Sequence, residues 1–110
     1  MNGYACIVQE DQTPASVQAE LGEGLKRIGR ELLGDSEDGV EIRWITIDDG
    51  FGFTAGVPST SSLVVRSVPV GFAAAEREAF MTRVCDLWKE VAGCSTDEIV
   101  VTALDGPLPL

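Results

Sequence analysis

Two long stretches of this chain carry apolar residues three and four positions apart, and shorter apolar or alternating stretches flank each of them. The first stripe is Val17, Leu21, Leu25, Ile28 and Leu32; the second is Phe80, Val84, Leu87 and Val91, widened by Met81, Cys85 and Trp88. Both predict amphipathic helices with one buried face. The first opens at Thr13-Pro14, Thr13 as N-cap and Pro14 at the first helical position, and ends at Gly34. The second runs over Ala73 to Ala92 and is capped by Gly93. Gly22, Gly24 and Gly29 each weaken the first helix by about 1 kcal/mol relative to Ala, which points to close packing on a sheet.

Four stretches read as strands. Tyr4 to Gln9 is continuously apolar and suits a buried strand. In Val40 to Ile47, Val40, Ile42, Trp44 and Thr46 face one way, and Glu41, Arg43, Ile45 and Ile47 the other. Ser61 to Val70 is the third strand, with Pro69 marking an edge or a break, and Ile99 to Leu104 is the fourth. The glycine-rich stretch from Asp48 to Gly56 predicts a hairpin or flap. Its Gly50-Phe51-Gly52 is not followed by a helix start, so it lacks the context of a phosphate-cradling loop.

The pattern repeats. Gly34-Asp35-Ser36-Glu37-Asp38-Gly39-Val40 and Gly93-Cys94-Ser95-Thr96-Asp97-Glu98-Ile99 both read G-x-S-x-D-x-[V/I], 59 positions apart, and the helix stripes align at that offset. The expected architecture is α+β. Two βαβ units, about 1–57 and 58–110 of a single domain, form a four-stranded sheet with two helices on one face. Each unit joins parallel neighbours by a right-handed crossover. A ferredoxin-like βαββαβ sandwich shares the order of elements and is the alternative. The apolar tail from Asp105 to Leu110 is expected to lie on a neighbouring subunit.

Charge and composition narrow the function. A chain of 110 residues builds a modest core, and a further subunit would help to stabilise it. The net charge of -10 argues against nucleic acid or a membrane surface as partner. No His is present, which removes the commonest metal ligand and general base, and no metal or cofactor is expected. Three cysteines without a C-x-x-C fit a reduced, cytoplasmic protein: Cys6 and Cys85 read as small buried residues, and Cys94 has no His to activate it. No apolar run is long enough to span a bilayer, and Met1-Asn2-Gly3 carries no basic leader region.

In Ala15-Ser16-Val17, Phe51-Gly52-Phe53 to Gly56, Leu63-Val64-Val65 to Val70-Gly71, and Ser95-x-Asp97-x-Ile99, taken in this order and spacing, the chain resembles the tautomerase superfamily in its long form, typified by macrophage migration inhibitory factor. The resemblance covers nearly the whole chain. It implies a homotrimer whose sheets surround a channel, and acid–base chemistry on small carbonyl compounds by an N-terminal proline. Arginines or a lysine would hold the substrate carboxylate.

Several positions depart from that pattern. The proline's place falls between Asn2 and Tyr4, the loop lysine's at Asp35, and the two substrate arginines' at Phe72 and Glu41. Asn2 is large enough that Met1 is expected to stay on. The resemblance leaves Asn2 and Tyr4 as catalytic candidates, and Arg43, Arg66, Val70, Phe72, Phe51, Phe53 and Thr102 as substrate-binding candidates. Three of them have a plainer reading: Arg43 and Arg66 as interface ion pairs, Tyr4 as a packed strand aromatic. The implied activity is acid–base isomerisation or tautomerisation of a small carbonyl or enol compound. The alternative is a catalytically silent ligand-binding trimer, or the non-catalytic subunit of a mixed assembly.

Overall fold

In a computed structural model, which describes residues 2–36 and 40–108, strand β1 (Gly3–Gln9) leads into helix α1 (Ala15–Leu32) and strand β2 (Glu41–Ile47). Short strands β3 (Phe53–Thr54) and β4 (Val57–Pro58) follow. Then come β5 (Ser62–Val68), α2 (Ala74–Val91), a 3-10 turn at Thr96–Glu98, and β6 (Ile99–Asp105). The main sheet has the order β2-β1-β5-β6. β1 and β2 are parallel, as are β5 and β6, while β1 and β5 run antiparallel at the centre. The expected α+β architecture of two βαβ units is therefore present. In the ferredoxin-like alternative each βαβ unit is split by an inserted strand. Here the two strands of each unit are hydrogen-bonded neighbours, which rules that arrangement out.

One row across the sheet is Ile42, Tyr4, Arg66 and Ala103; the next is Arg43, Ala5, Val65 and Thr102. Successive residues of a strand face opposite sides, so these rows lie on opposite faces. The first faces the helices and joins a core of Tyr4, Cys6, Val8, Leu21, Leu25, Ile28, Val64, Val68, Phe80, Val84, Leu87 and Trp88. The second belongs to an open face on which Val100 and Leu104 stay exposed.

Several local readings shift. Pro14, not Thr13, is the N-cap of α1, and Thr13 is buried with its hydroxyl unpaired. The helical glycines do mark close approaches, but not chiefly to the sheet. A Cβ on Gly24 would stand 2.5 Å from Leu87 of α2, and one on Gly29 would collide with the Asp35 carboxylate. The constant offset of the repeat also breaks. Gly3 pairs with Glu41 but Ser62 pairs with Ile99, so the second unit is one residue shorter between its paired strands; the core-facing Ile42 and Val101 keep the offset, which puts the slip between the first strand of the unit and its helix. Glu37, Asp38 and Gly39 of the first motif lie outside the described residues, as do Met1, Pro109 and Leu110. Leu108 of the tail is buried against its own chain.

Candidate functional site

The sheet end at the start of β1 holds the richest polar chemistry. A pocket of about 360 Å³ there is lined by Asn2, Asp35, Arg66, Ser67, Pro69 and Pro107, among others. At its floor Arg66 donates through Nη1 and Nη2 to the two oxygens of Asp35, at 2.6 and 2.8 Å, and through Nε to the Ser67 carbonyl at 2.7 Å. The two side chains are only 7% and 10% exposed, so this two-pronged ion pair is largely withdrawn from water. Burial is the largest influence on the Arg66 pKa and pulls it down, but the Asp35 hydrogen bond and the charges of Asp35 and Tyr4 together outweigh it and leave the guanidinium above its ordinary value.

Local sequence explains the arrangement. Arg66 sits on the helix-facing side of β5, opposite Tyr4 across the strand pair, and its guanidinium lies 4.9 Å from the centre of the Tyr4 ring. Gly29 gives Asp35 the room to reach it, and the Asp35 N–H donates to the Gly29 carbonyl at 3.2 Å. The Ser67 hydroxyl accepts the Gly3 N–H at 2.9 Å and ties the first residues of β1 to the end of β5. Arg77 donates to the Phe72 and Ala103 carbonyls and to Asp105, which anchors the Pro69–Phe72 loop beside the pocket.

The structure gathers some of the expected site residues and scatters others. Asn2 lines the pocket and is exposed. Arg66 is at its floor, paired within its own chain rather than across an interface. Tyr4 is beneath the pocket, fully buried, and donates to the Leu25 carbonyl at 2.9 Å. Burial pushes its phenol up to about 12. Tyr4 is thus held protonated and hydrogen-bonded within the core. Arg43 and Thr102 stand exposed on the open face, on the far side of the sheet from Arg66, so the two arginines do not meet.

The apolar substrate-binding candidates Phe51, Phe53, Val70 and Phe72 do not come together within one chain. Phe72 packs partly against the core and Val70 is 80% exposed, both beyond the end of β5. Phe51 and Phe53 are on the exposed β3–β4 hairpin at the other end of β1, where Gly52 approaches Gln9 and Ile47. Ala55 and Gly56 both have positive φ, 51° and 83°, as a tight hairpin turn requires.

Sequence reading missed Asp35 as a site residue, although its departure from the loop lysine was the available signal. It also missed Ser67 and Pro107, for which no sequence signal exists. Burial pushes the Cys6 thiol up to about 12 and raises Cys85 and Cys94, which disfavours their thiolate forms. Among the described residues no helix is long and apolar enough to cross a membrane.

No family model and no curated protein matches the sequence. Solved structures do match the fold. Native Ps01740 is 23% identical over 94% of this chain and 93% of its own, with a TM-score of 0.88. Pt0534, solved after inactivation by 2-oxo-3-pentynoate, is 20% identical over 94% and 85%, with a TM-score of 0.85. A fused 4-OT, solved as a symmetric trimer, is 17% identical over 94% and 85%, with a TM-score of 0.83. The chain has the tautomerase-superfamily fold, and the resemblance read from its sequence is borne out at that level.

Proposed function

We propose that this chain is a tautomerase-type protein that binds a small carbonyl or enol compound in the pocket at the start of β1 and moves a proton on it by acid–base isomerisation. The observation that carries the reading is the convergence of Asn2, Ser67 and the Asp35–Arg66 pair on one pocket, at the sheet end where the resemblance puts the reacting amine. Although the size of Asn2 favours retention of Met1, the proton carrier would be the Asn2 amine of chains from which Met1 has been removed. An ordinary chain-terminal amine titrates near 8, within reach of general base work. The inactivation of Pt0534 by an oxo compound supports a carbonyl ligand for this fold.

The open sheet face carries Ile7, Ile45, Leu63, Val65, Val100 and Leu104, which the described residues leave partly or fully exposed. With the trimeric fused 4-OT as a parallel, it supports a homotrimer built on that face. In such an assembly Arg43 and Thr102 would lie at subunit contacts, and the exposed Phe51, Phe53 and Val70, with the outer part of Phe72, would be free to close a neighbour's pocket. Three free thiols fit a reducing, cytoplasmic setting.

A specific observation favours a second reading, a catalytically silent ligand-binding member of the fold. Arg66 spends its donors on Asp35 and Ser67, and Tyr4 spends its hydroxyl on Leu25. The test is decay of an aryl enol followed by ultraviolet absorbance, on protein whose denatured mass establishes whether Met1 is present and whose native mass establishes the trimer. Catalysed decay that disappears when the Asn2 amine is blocked supports the enzyme. Ligand binding without catalysed decay supports the silent reading.

A further inference from the structure

An arginine fork at the floor of a small pocket ordinarily signals an anionic ligand. Here the fork is taken. Both terminal nitrogens of Arg66 are on Asp35, Nε is on the Ser67 carbonyl, and the guanidinium face lies near the Tyr4 ring. Asp35 is itself anchored, through its N–H to Gly29 and by the gap that the missing Gly29 side chain leaves.

We propose that Asp35 sets the ligand class of this pocket: it occupies the carboxylate position of the Arg66 fork, so the pocket takes uncharged carbonyl or enol compounds and rejects the corresponding acids. The inference rests on the proposed carbonyl ligand and narrows it. An entering carboxylate meets an arginine already neutralised and a fixed negative charge beside it, in a site largely screened from water, where like charges repel strongly. Exchange would expel Asp35 from a buried partner and leave it unpaired. The net charge of -10 adds a repulsive field for any anion on approach. What remains for a ligand is neutral: the exposed Asn2 side-chain amide, the Asn2 amine in the unprotonated form that base work requires, and apolar walls from Val40, Val68, Pro69 and Pro107, since the Ser67 hydroxyl is held by Gly3.

The experiment uses phenylpyruvate and its methyl ester, which share a ring and a ketone and differ by one charge. Binding to the intact protein is measured by calorimetry, and the same pair is measured with Asp35→Asn after circular dichroism shows a native spectrum. The expected result is that wild type binds the ester at least about ten-fold more tightly than the acid, and that Asp35→Asn shifts the ratio at least about ten-fold toward the acid, each ten-fold corresponding to about 1.4 kcal/mol. Wild-type binding of the acid as tight as that of the ester overturns the inference and leaves the carbonyl pocket standing. Binding of neither overturns both. An Asp35→Asn protein with an unchanged ratio shows that Asp35 does not set the class. If that variant does not fold, the wild-type ratio alone decides.

Discussion

Gly29 and Trp88 occupy the same place in two helices of equal length, each three residues before the helix end, and they do opposite things. Beside Gly29 the absent side chain leaves space that Asp35 and the Tyr4 hydroxyl fill, and a charged pair forms under a pocket. At Trp88 a fully buried indole fills that space, tilted on Trp44 with ring centres 6.2 Å apart. Cys94 follows α2 at the position where Asp35 follows α1, and it makes no comparable ion pair. One helix end is packed shut and the other is kept open for polar chemistry. The glycine-or-tryptophan position and the Asp35-or-Cys94 position after it together separate the two.

The largest effect should come from the closed end. Trp88→Ala removes the bulkiest buried side chain, and urea denaturation should show a loss of about 4 kcal/mol. A loss below about 2 kcal/mol would mean that the indole does not seal that end.

At the open end, Asp35→Ala leaves the buried Arg66 charge unpaired and should cost about 3 kcal/mol. Adding Arg66→Leu should return part of that loss, because an apolar replacement of the pair carries no stranded charge. Additive losses in this double-variant cycle would show that the two side chains do not depend on each other.

Two glycines of the same helix should then respond with opposite sign. Gly29→Ala drives a methyl into the Asp35 carboxylate and should cost about 2 kcal/mol, even against the gain in helix propensity. Gly22→Ala meets nothing nearer than Ile42 at 3.8 Å and should gain up to about 1 kcal/mol. Equal responses in thermal melts would remove the special role assigned to Gly29.

The last effect is absent near neutrality and grows only in alkali. Tyr4 and Cys6, each raised by burial to about 12 from 10.0 and 9.0, stay neutral in the folded chain while the unfolded chain loses its protons. Stability should hold below pH 9 and fall between pH 9 and 12, and Tyr4→Phe should flatten the part above pH 10. A flat profile across that window would show both groups open to solvent.

The elements were legible because periodicity is local. The stripes of Leu21, Leu25 and Ile28 and of Phe80, Val84 and Leu87 put both helices in place, and the predicted ends fell within about two residues of the observed ones. The hairpin was legible from its glycines. The site was much less so. Arg43 and Arg66 look alike as mid-strand arginines, and only strand register puts them on opposite faces. The rim of Phe51, Phe53, Val70 and Phe72 looked continuous in composition, but the antiparallel central pair sends its two halves to opposite ends of the sheet.

By itself the sequence determined the two helices, the strands, their near-repeat and the absence of any histidine chemistry, because each depends on residues close together along the chain. Tertiary structure decided the order β2-β1-β5-β6 and the one-residue slip in the second unit, because strand pairing selects among registers that local pattern leaves equal. It also decided the meeting of Asp35 with Arg66, 31 residues apart in the chain, because a buried charge must find its partner wherever the fold brings one within reach.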